Sequence, residues 1–391
     1  TKRPDYRLRP GSGEVSVGSA TEKTLAYGTS VPGPELRLTK GREAVISLEN
    51  GLDADTTVHW HGIRLRNDMD GVPGLTQPPV GSGSQFLYAY TPPDAGTFFY
   101  HPHVGVQNDT AMYGALIVED PNESLRYDVD AVAVIDDWLG GGRNPDDVLK
   151  GLQDHGMMGG GSGGGMGGMH MNHGSGGGME TMMVSPAMLS RMDSAAASGR
   201  FRTPNGDVPS IARAAGLANA FVAGATHASD VSYQSHLING GPAAEPAGIV
   251  AKPGQVVRLR LINAAADTMY LVHADGVPFT VVAADGMRTE PLSCDGVLMG
   301  MAERYDVLLK AGRRPVRLIA EPMGQHGLAM AVIGPKGSSA NVSTSAVGRP
   351  VRVAGPQDLI ERGGARPVGT PTQVKQLDLS MSMPYDWAIA D

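Results

Sequence analysis

The chain has 391 residues, 41% of them hydrophobic, and a net charge of −8; that is enough apolar material for two or three domains with real cores, and the lack of any basic block argues against a nucleic-acid partner. No run of about 18 or more apolar residues exists, so no segment is expected to span a membrane. The single cysteine, Cys294, rules out an intrachain disulfide and leaves the redox compartment open.

The chain opens on Thr1-Lys2-Arg3-Pro4, with neither an initiator Met nor an apolar signal segment. A leader is therefore expected to have been removed, or the chain trimmed. Residues 15–120 read as short strands punctuated by Gly, Pro and Asp. Ala44, Ile46 and Leu48 alternate with Glu43, Ser47 and Glu49. Within this region lie His59-Trp60-His61 and His101-Pro102-His103, which hold four of the chain's 11 histidines. Side chains at i and i+2 of a strand point the same way. Each pair can thus aim two imidazoles at one point, an arrangement suited to copper, zinc, iron or nickel. Asp70 stands in an Asp-Gly turn signal, and Asp109 lies six residues past the second pair.

From His155 to about Met192 the texture changes to Gly, Met and Ser, with ten of the chain's 20 methionines. Such glycine density cannot hold a packed core, so a mobile loop is expected, followed by a short helix over Pro186–Gly199. Thioether sulfur prefers Cu(I). Met157, Met158, Met166, Met169, His170, Met171, His173, Met179, Met182 and Met183 are therefore candidates for recruiting Cu(I), against the plainer reading of a solvated low-complexity linker.

Beyond the loop the first pattern returns. Gly254 through Asn263 (GQVVRLRLIN) aligns without a gap with Gly41 through Asn50 (GREAVISLEN). One β-domain is therefore read as present twice, the second copy over roughly 230–335, and many short strands with turn signals between them argue for β-sandwiches. The second copy has only His273 where the first has a pair, and is read as scaffold, spacer or pocket wall. Near Gln373 a third element opens, with Leu377, Leu379 and Met381 alternating with Asp378, Ser380 and Ser382. The expected division is residues 1–125, a linker over 126–229 including the 155–192 loop, a second domain over 230–340, a linker over 341–372, and the start of a third domain over 373–391.

The histidine pairs and their surroundings resemble the first domain of a three-domain multicopper oxidase of the laccase and cuprous-oxidase type. The matching stretches are Thr57 to Gly62, Asp70 to Gln77, Phe99 to Gly105 and Tyr113 to Pro121; Leu237 to Gly240 and Gly300 to Val307 are similar to the family's middle domain. The resemblance implies an all-β fold of tandem cupredoxin-like Greek-key sandwiches with a long Gly/Met-rich loop. It implies copper as cofactor, with His59 a type 2 ligand and His61, His101 and His103 type 3 ligands. Asp70 matches an acidic residue that helps deliver protons to dioxygen, and Asp109 is a possible second acid, since reducing dioxygen at a buried site consumes protons.

One departure stands out. The family's third domain supplies the other half of the cluster and the Cys-containing type 1 site, and no His-Cys-His motif exists here. Cys294 has no neighbouring histidine and is read as an inert thiol. A truncated or incompletely recorded chain, a partner chain supplying the rest, and a degenerate homologue all remain open, and the chain as it stands is expected to be inactive. The function expected of the complete protein is oxidation of a reducing substrate, Cu(I) first and phenols or other small aromatic reductants next, coupled to reduction of dioxygen to water. The alternative is a non-catalytic copper-buffering protein. Similar methionine-rich insertions in family members tied to copper tolerance point to the cell envelope (periplasm) or outside the cell. His227, His236, His273 and His326 stand alone and are expected to be structural or surface residues rather than ligands.

Overall fold

The structure, a computed structural model, describes residues 3–155, 231–323, 325–338, 350, 352–360, 362, 378–382 and 386–390. The ten candidate residues of the Met-rich loop, His227, and the helix expected over 186–199 lie outside these. Among the described residues strands dominate the regular structure, with one α-helix, Pro145–His155.

The first sandwich forms because its strands are apolar at every second position. Ala44–Glu49 runs parallel to Tyr6–Leu8 and antiparallel to Gln85–Tyr90 in a three-stranded sheet. A four-stranded sheet takes the order Leu36–Thr39, Gly114–Glu119, Gly96–His101, His59–His61. Leu36, Leu38, Trp60, Phe98, Tyr100, Leu116 and Val118 of this sheet share one core with Leu8, Ala44, Ile46, Leu48, Tyr88 and Tyr90 of the other. These are alternate residues of each strand, as the two-residue period requires.

The second sandwich is larger, with sheets of seven and six strands. The middle of the seven-stranded sheet is Val256–Asn263, parallel to Val129–Trp138 and antiparallel to Arg304–Lys310. Val129–Trp138, ten residues long, falls in the stretch read as linker. The aligned segments GREAVISLEN and GQVVRLRLIN do the same structural job down to their closing asparagines. Asn50 Oδ1 accepts from the Leu52 N–H, and its Nδ2 donates to the carbonyls of Ala54 and Val80. Asn263 Oδ1 accepts from the Ala265 N–H, and its Nδ2 donates to the carbonyls of Thr268 and Gly300.

The two sandwiches share buried surface. Phe99, Tyr113 and Ala115 pack against Val134, Trp138, Leu237 and Ile262, with Val15 and Val17 of the hairpin Pro10–Val17/Ala20–Tyr27 closing the cluster. Near the end of the chain, Asp378–Ser382 and Asp386–Ala390 pair antiparallel. Paired sheets thus recur along the chain, and the expectation of an all-β protein of tandem sandwiches holds.

Candidate metal centre

The site is written into one strand pair. His59–His61 runs antiparallel to Gly96–His101, with His59 opposite His101, Trp60 opposite Tyr100 and His61 opposite Phe99. Trp60 and Tyr100 are fully buried in the first core, so their neighbours must project from the other face of the sheet. One ring nitrogen from each of His59, His61 and His101 falls within a set whose members lie within 4.8 Å of one another. The strand stops at His101. Pro102 has no N–H to give to a ladder, and the exposed His103 follows outside the strand. Its ring centroid is 5.6 Å from that of His59 and 6.1 Å from that of His101. The structure thus gathers three of the four expected histidines into one set and leaves the fourth at its rim; the i, i+2 argument holds within a strand for the first pair only.

Hydrogen bonding fixes two of the rings. His59 Nδ1 donates to the Asp70 carbonyl at 2.8 Å, and His101 Nδ1 donates to the Pro102 carbonyl at 2.8 Å. A carbonyl only accepts, so each Nδ1 carries the hydrogen and each Nε2 keeps its lone pair. His61 Nδ1 lies 3.3 Å from His101 Nε2, and Phe99 stacks against both rings at 4.6 and 5.1 Å. Burial, and then the nearby Arg304 charge, push His61 down to about 3. Burial pushes His101 down to about 4, against the pull of the Pro102 carbonyl. Both rings are therefore neutral at neutral pH, the form that ligates metals.

Asp70 follows the short turn Asn67–Met69 and sits beside His59. Its carbonyl accepts the hydrogen bond from Nδ1, and its carboxylate oxygen Oδ1 lies 3.5 Å from the same nitrogen. Asp109 ends a second short turn, Gln107–Asp109, and its neighbour is Tyr233, whose hydroxyl lies 3.5 Å from Oδ2. Burial, and then the charge of Asp137, raise Asp109 to about 8. It thus belongs with a group of carboxylates between the sandwiches. Asp136 accepts the Tyr113 hydroxyl at 2.7 Å, and Asp137 accepts the Ala266 and Asp267 N–H groups and the Thr268 hydroxyl.

Residues 11–123 and residues 213–317 each match a family profile described as multicopper oxidase. The chain belongs to the multicopper oxidase family. It is 34% identical over 327 residues to Multicopper oxidase MmcO of Mycobacterium tuberculosis, covering 83% of this chain and 55% of that protein. It is 28% identical over 334 residues to Copper resistance protein A of Escherichia coli, covering 83% and 49%. The chain therefore spans about half the length of the curated relatives it matches. Its fold is similar to that of Fet3p, a multicopper oxidase that functions in iron import, with a TM-score of 0.67, 18% identity, and coverage of 96% of this chain and 60% of that one.

Copper, the metal this family implies, fits the donor set: three converging imidazoles, two of them with Nε2 freed by a carbonyl at Nδ1. Among the described residues outside that set, Cys294, His236 and His273 are buried. Cys294 is fully buried, and burial pushes its thiol up to about 12. His236 hydrogen-bonds the Tyr270 hydroxyl at 2.7 Å, His273 Nε2 sits 3.0 Å from Glu321, and His326 is exposed.

Not foreseen from the sequence is the polar seam that joins the sandwiches on the same face of the sheet as the histidines. Thr97 donates to Asp306 and accepts from Arg260 Nη1; Arg258 and Arg260 pair with Asp306 and Asp130. Arg258 and Arg260 are the polar half of the alternation in GQVVRLRLIN, and both are buried. The signal was in the sequence: a strand whose apolar face fills one core while its polar face carries two arginines is more readily read as solvated than as an interface.

Proposed function

We propose that this chain contributes His59, His61, His101 and His103 to the copper centre of an oxidase. The enzyme couples one-electron oxidation of a reducing substrate to four-electron reduction of dioxygen to water. Cu(I) is the favoured substrate, with phenols or other small aromatic reductants next. The supporting observation is the set of His59, His61 and His101 nitrogens within 4.8 Å of one another, on the face of the sheet opposite Trp60 and Tyr100. Bound copper supplies the one-electron redox chemistry and the place where dioxygen is reduced.

The residues of the chain do the rest. The Asp70 and Pro102 carbonyls hold His59 and His101 in the Nε2-donor tautomer. The Asp70 carboxylate, 3.5 Å from His59, relays protons to the cluster, and Asp109, which burial holds protonated, is a second acid. The second sandwich, over 230–340 together with the strand 129–138, is scaffold. The methionines of 157–183 recruit Cu(I). A place in the cell envelope or outside the cell follows from copper tolerance as the role; among the described residues no helix is long and apolar enough to cross a membrane.

The test is oxygen uptake by the copper-loaded full-length protein with Cu(I) and with a phenol as reductants. Both substrates should drive uptake. His61→Gln and His101→Gln should lower copper content and abolish both rates, and Asp70→Asn should keep its copper yet slow uptake on the order of 100-fold. Replacing the loop methionines by serine should slow the Cu(I) reaction more than the phenol reaction. Copper retained without oxygen uptake would favour the buffering alternative, and full activity in His101→Gln would end the proposal.

A further inference from the structure

We propose that Arg304 is a positioning residue, through which the second sandwich sets the orientation of the His61 imidazole; its bearing on copper rests on the reading above. Arg304 opens the strand Arg304–Lys310 and is almost wholly buried. Its guanidinium crosses to the first sandwich. Nε donates to the Thr97 carbonyl at 3.3 Å, and Cζ lies 5.9 Å from the centre of the Phe98 ring. From its own side, Nη1 donates to the Ala302 carbonyl at 2.8 Å and pairs with Asp285 at 3.0 Å. The fork is thus anchored at one end and aimed at the other.

What it is aimed at is the bend that follows His61. Gly62 has φ of +87°, and a Cβ on it would lie 2.3 Å from Arg304 Nη2 and 3.2 Å from the Phe98 ring. The guanidinium occupies the space a side chain would need, so the chain turns against it immediately after the histidine. Thr97 lies two residues before Phe99, the register partner of His61 and the ring on which it stacks. Arg304 therefore bonds the backbone of one strand that fixes His61 and packs against the residue that follows the other. Losing an outer group that orients a ligating histidine typically costs about 10- to 100-fold in metal affinity. A planar fork held at several points is suited to this, whereas a lysine offers a single flexible charge.

The experiment has two readings on the full-length protein. Selective histidine labelling of the copper-free protein reports the His61 ring by NMR, with the buried His273 of the second sandwich as internal control. Competition with a Cu(I) chelator reports metal affinity. Arg304→Met should move the His61 ring resonances, leave those of His273 in place, and weaken Cu(I) binding about 10- to 100-fold. Arg304→Lys should shift the same resonances by less and recover part of the affinity. Wild-type His61 resonances together with wild-type affinity in Arg304→Met would overturn the proposal. So would His61 and His273 moving together, which marks general loosening. If Arg304→Met does not fold, wild-type values for both readings in Arg304→Lys overturn it instead. A wild-type protein that binds no Cu(I), with His61 still displaced in the variants, would sink the copper reading and leave the positioning role standing.

Discussion

At the scale of single residues, the site depends on backbone as much as on imidazole. Gly71 follows Asp70 with φ of +80°, and a Cβ there would lie 1.8 Å from the Val58 carbonyl oxygen, next to His59. Gly71→Ala must push the turn away from the strand. It should destabilise the fold by about 1–3 kcal/mol as an overpacking change and separate the Asp70 carbonyl from His59. Copper retention by dialysis and a thermal melt check both effects. Asp109 gives a pH prediction with a definite sign. Its folded value, about 8, lies above the ordinary carboxylate value of 3.8. The folded state therefore holds this proton more tightly than the unfolded chain does, and the stability it contributes is present below about pH 4 and lost as pH rises toward 8. Asp109→Asn, which cannot ionise, should melt a few degrees higher than wild type at pH 8–9, with the gap closing as the pH is lowered toward 4. An unchanged Tm–pH profile would show that Asp109 is not held protonated.

At the scale of elements, the two-residue period carried most of the information. Ile46 and Leu48 alternate with polar partners and are fully buried, and Asn50 and Asn263 close matching loops as the aligned segments imply. The histidine strand His59–His61 was legible for the same reason: polar–aromatic–polar in a strand places both imidazoles on one face. Two things were not legible. Pro102 ends the second strand at His101, so His103 obeys loop geometry that spacing cannot give. The arginines of Val256–Asn263 occupy what looks like a solvent face because burial of that face depends on a strand more than 150 residues away in sequence. Trp60 tests how closely core and site are coupled. Trp60→Ala should cost about 3–5 kcal/mol by opening a large cavity. Because the flanking histidines share its three-residue strand, copper affinity should fall as well, read by the same dialysis. Destabilisation with copper affinity intact would show that the histidines hold their places without the indole.

At the scale of the whole molecule, the sandwiches are joined by an apolar cluster and by a buried polar seam. Asp306 alone receives Thr97, Arg258 and Arg260. Removing one member of a buried charged network leaves its partners uncompensated, which costs about 3–5 kcal/mol. Asp306→Ala should therefore lower stability by that order. More tellingly, it should divide the calorimetric transition: wild type should melt in one peak, because the seam couples both cores, and the variant in two. A wild type that already melts in two peaks would show that the interface does not couple them.

The strand pair that holds the cluster has one more property. Trp60 and Tyr100 face inward while His59, His61 and His101 face the other way. A slip of a single residue in either strand would exchange these roles, driving ionisable rings into oil and an indole into water. The aromatic residues thus act as a proofreading device: the hydrophobic energy that folds the domain also rejects the one-residue slips that would turn the imidazoles away from the metal.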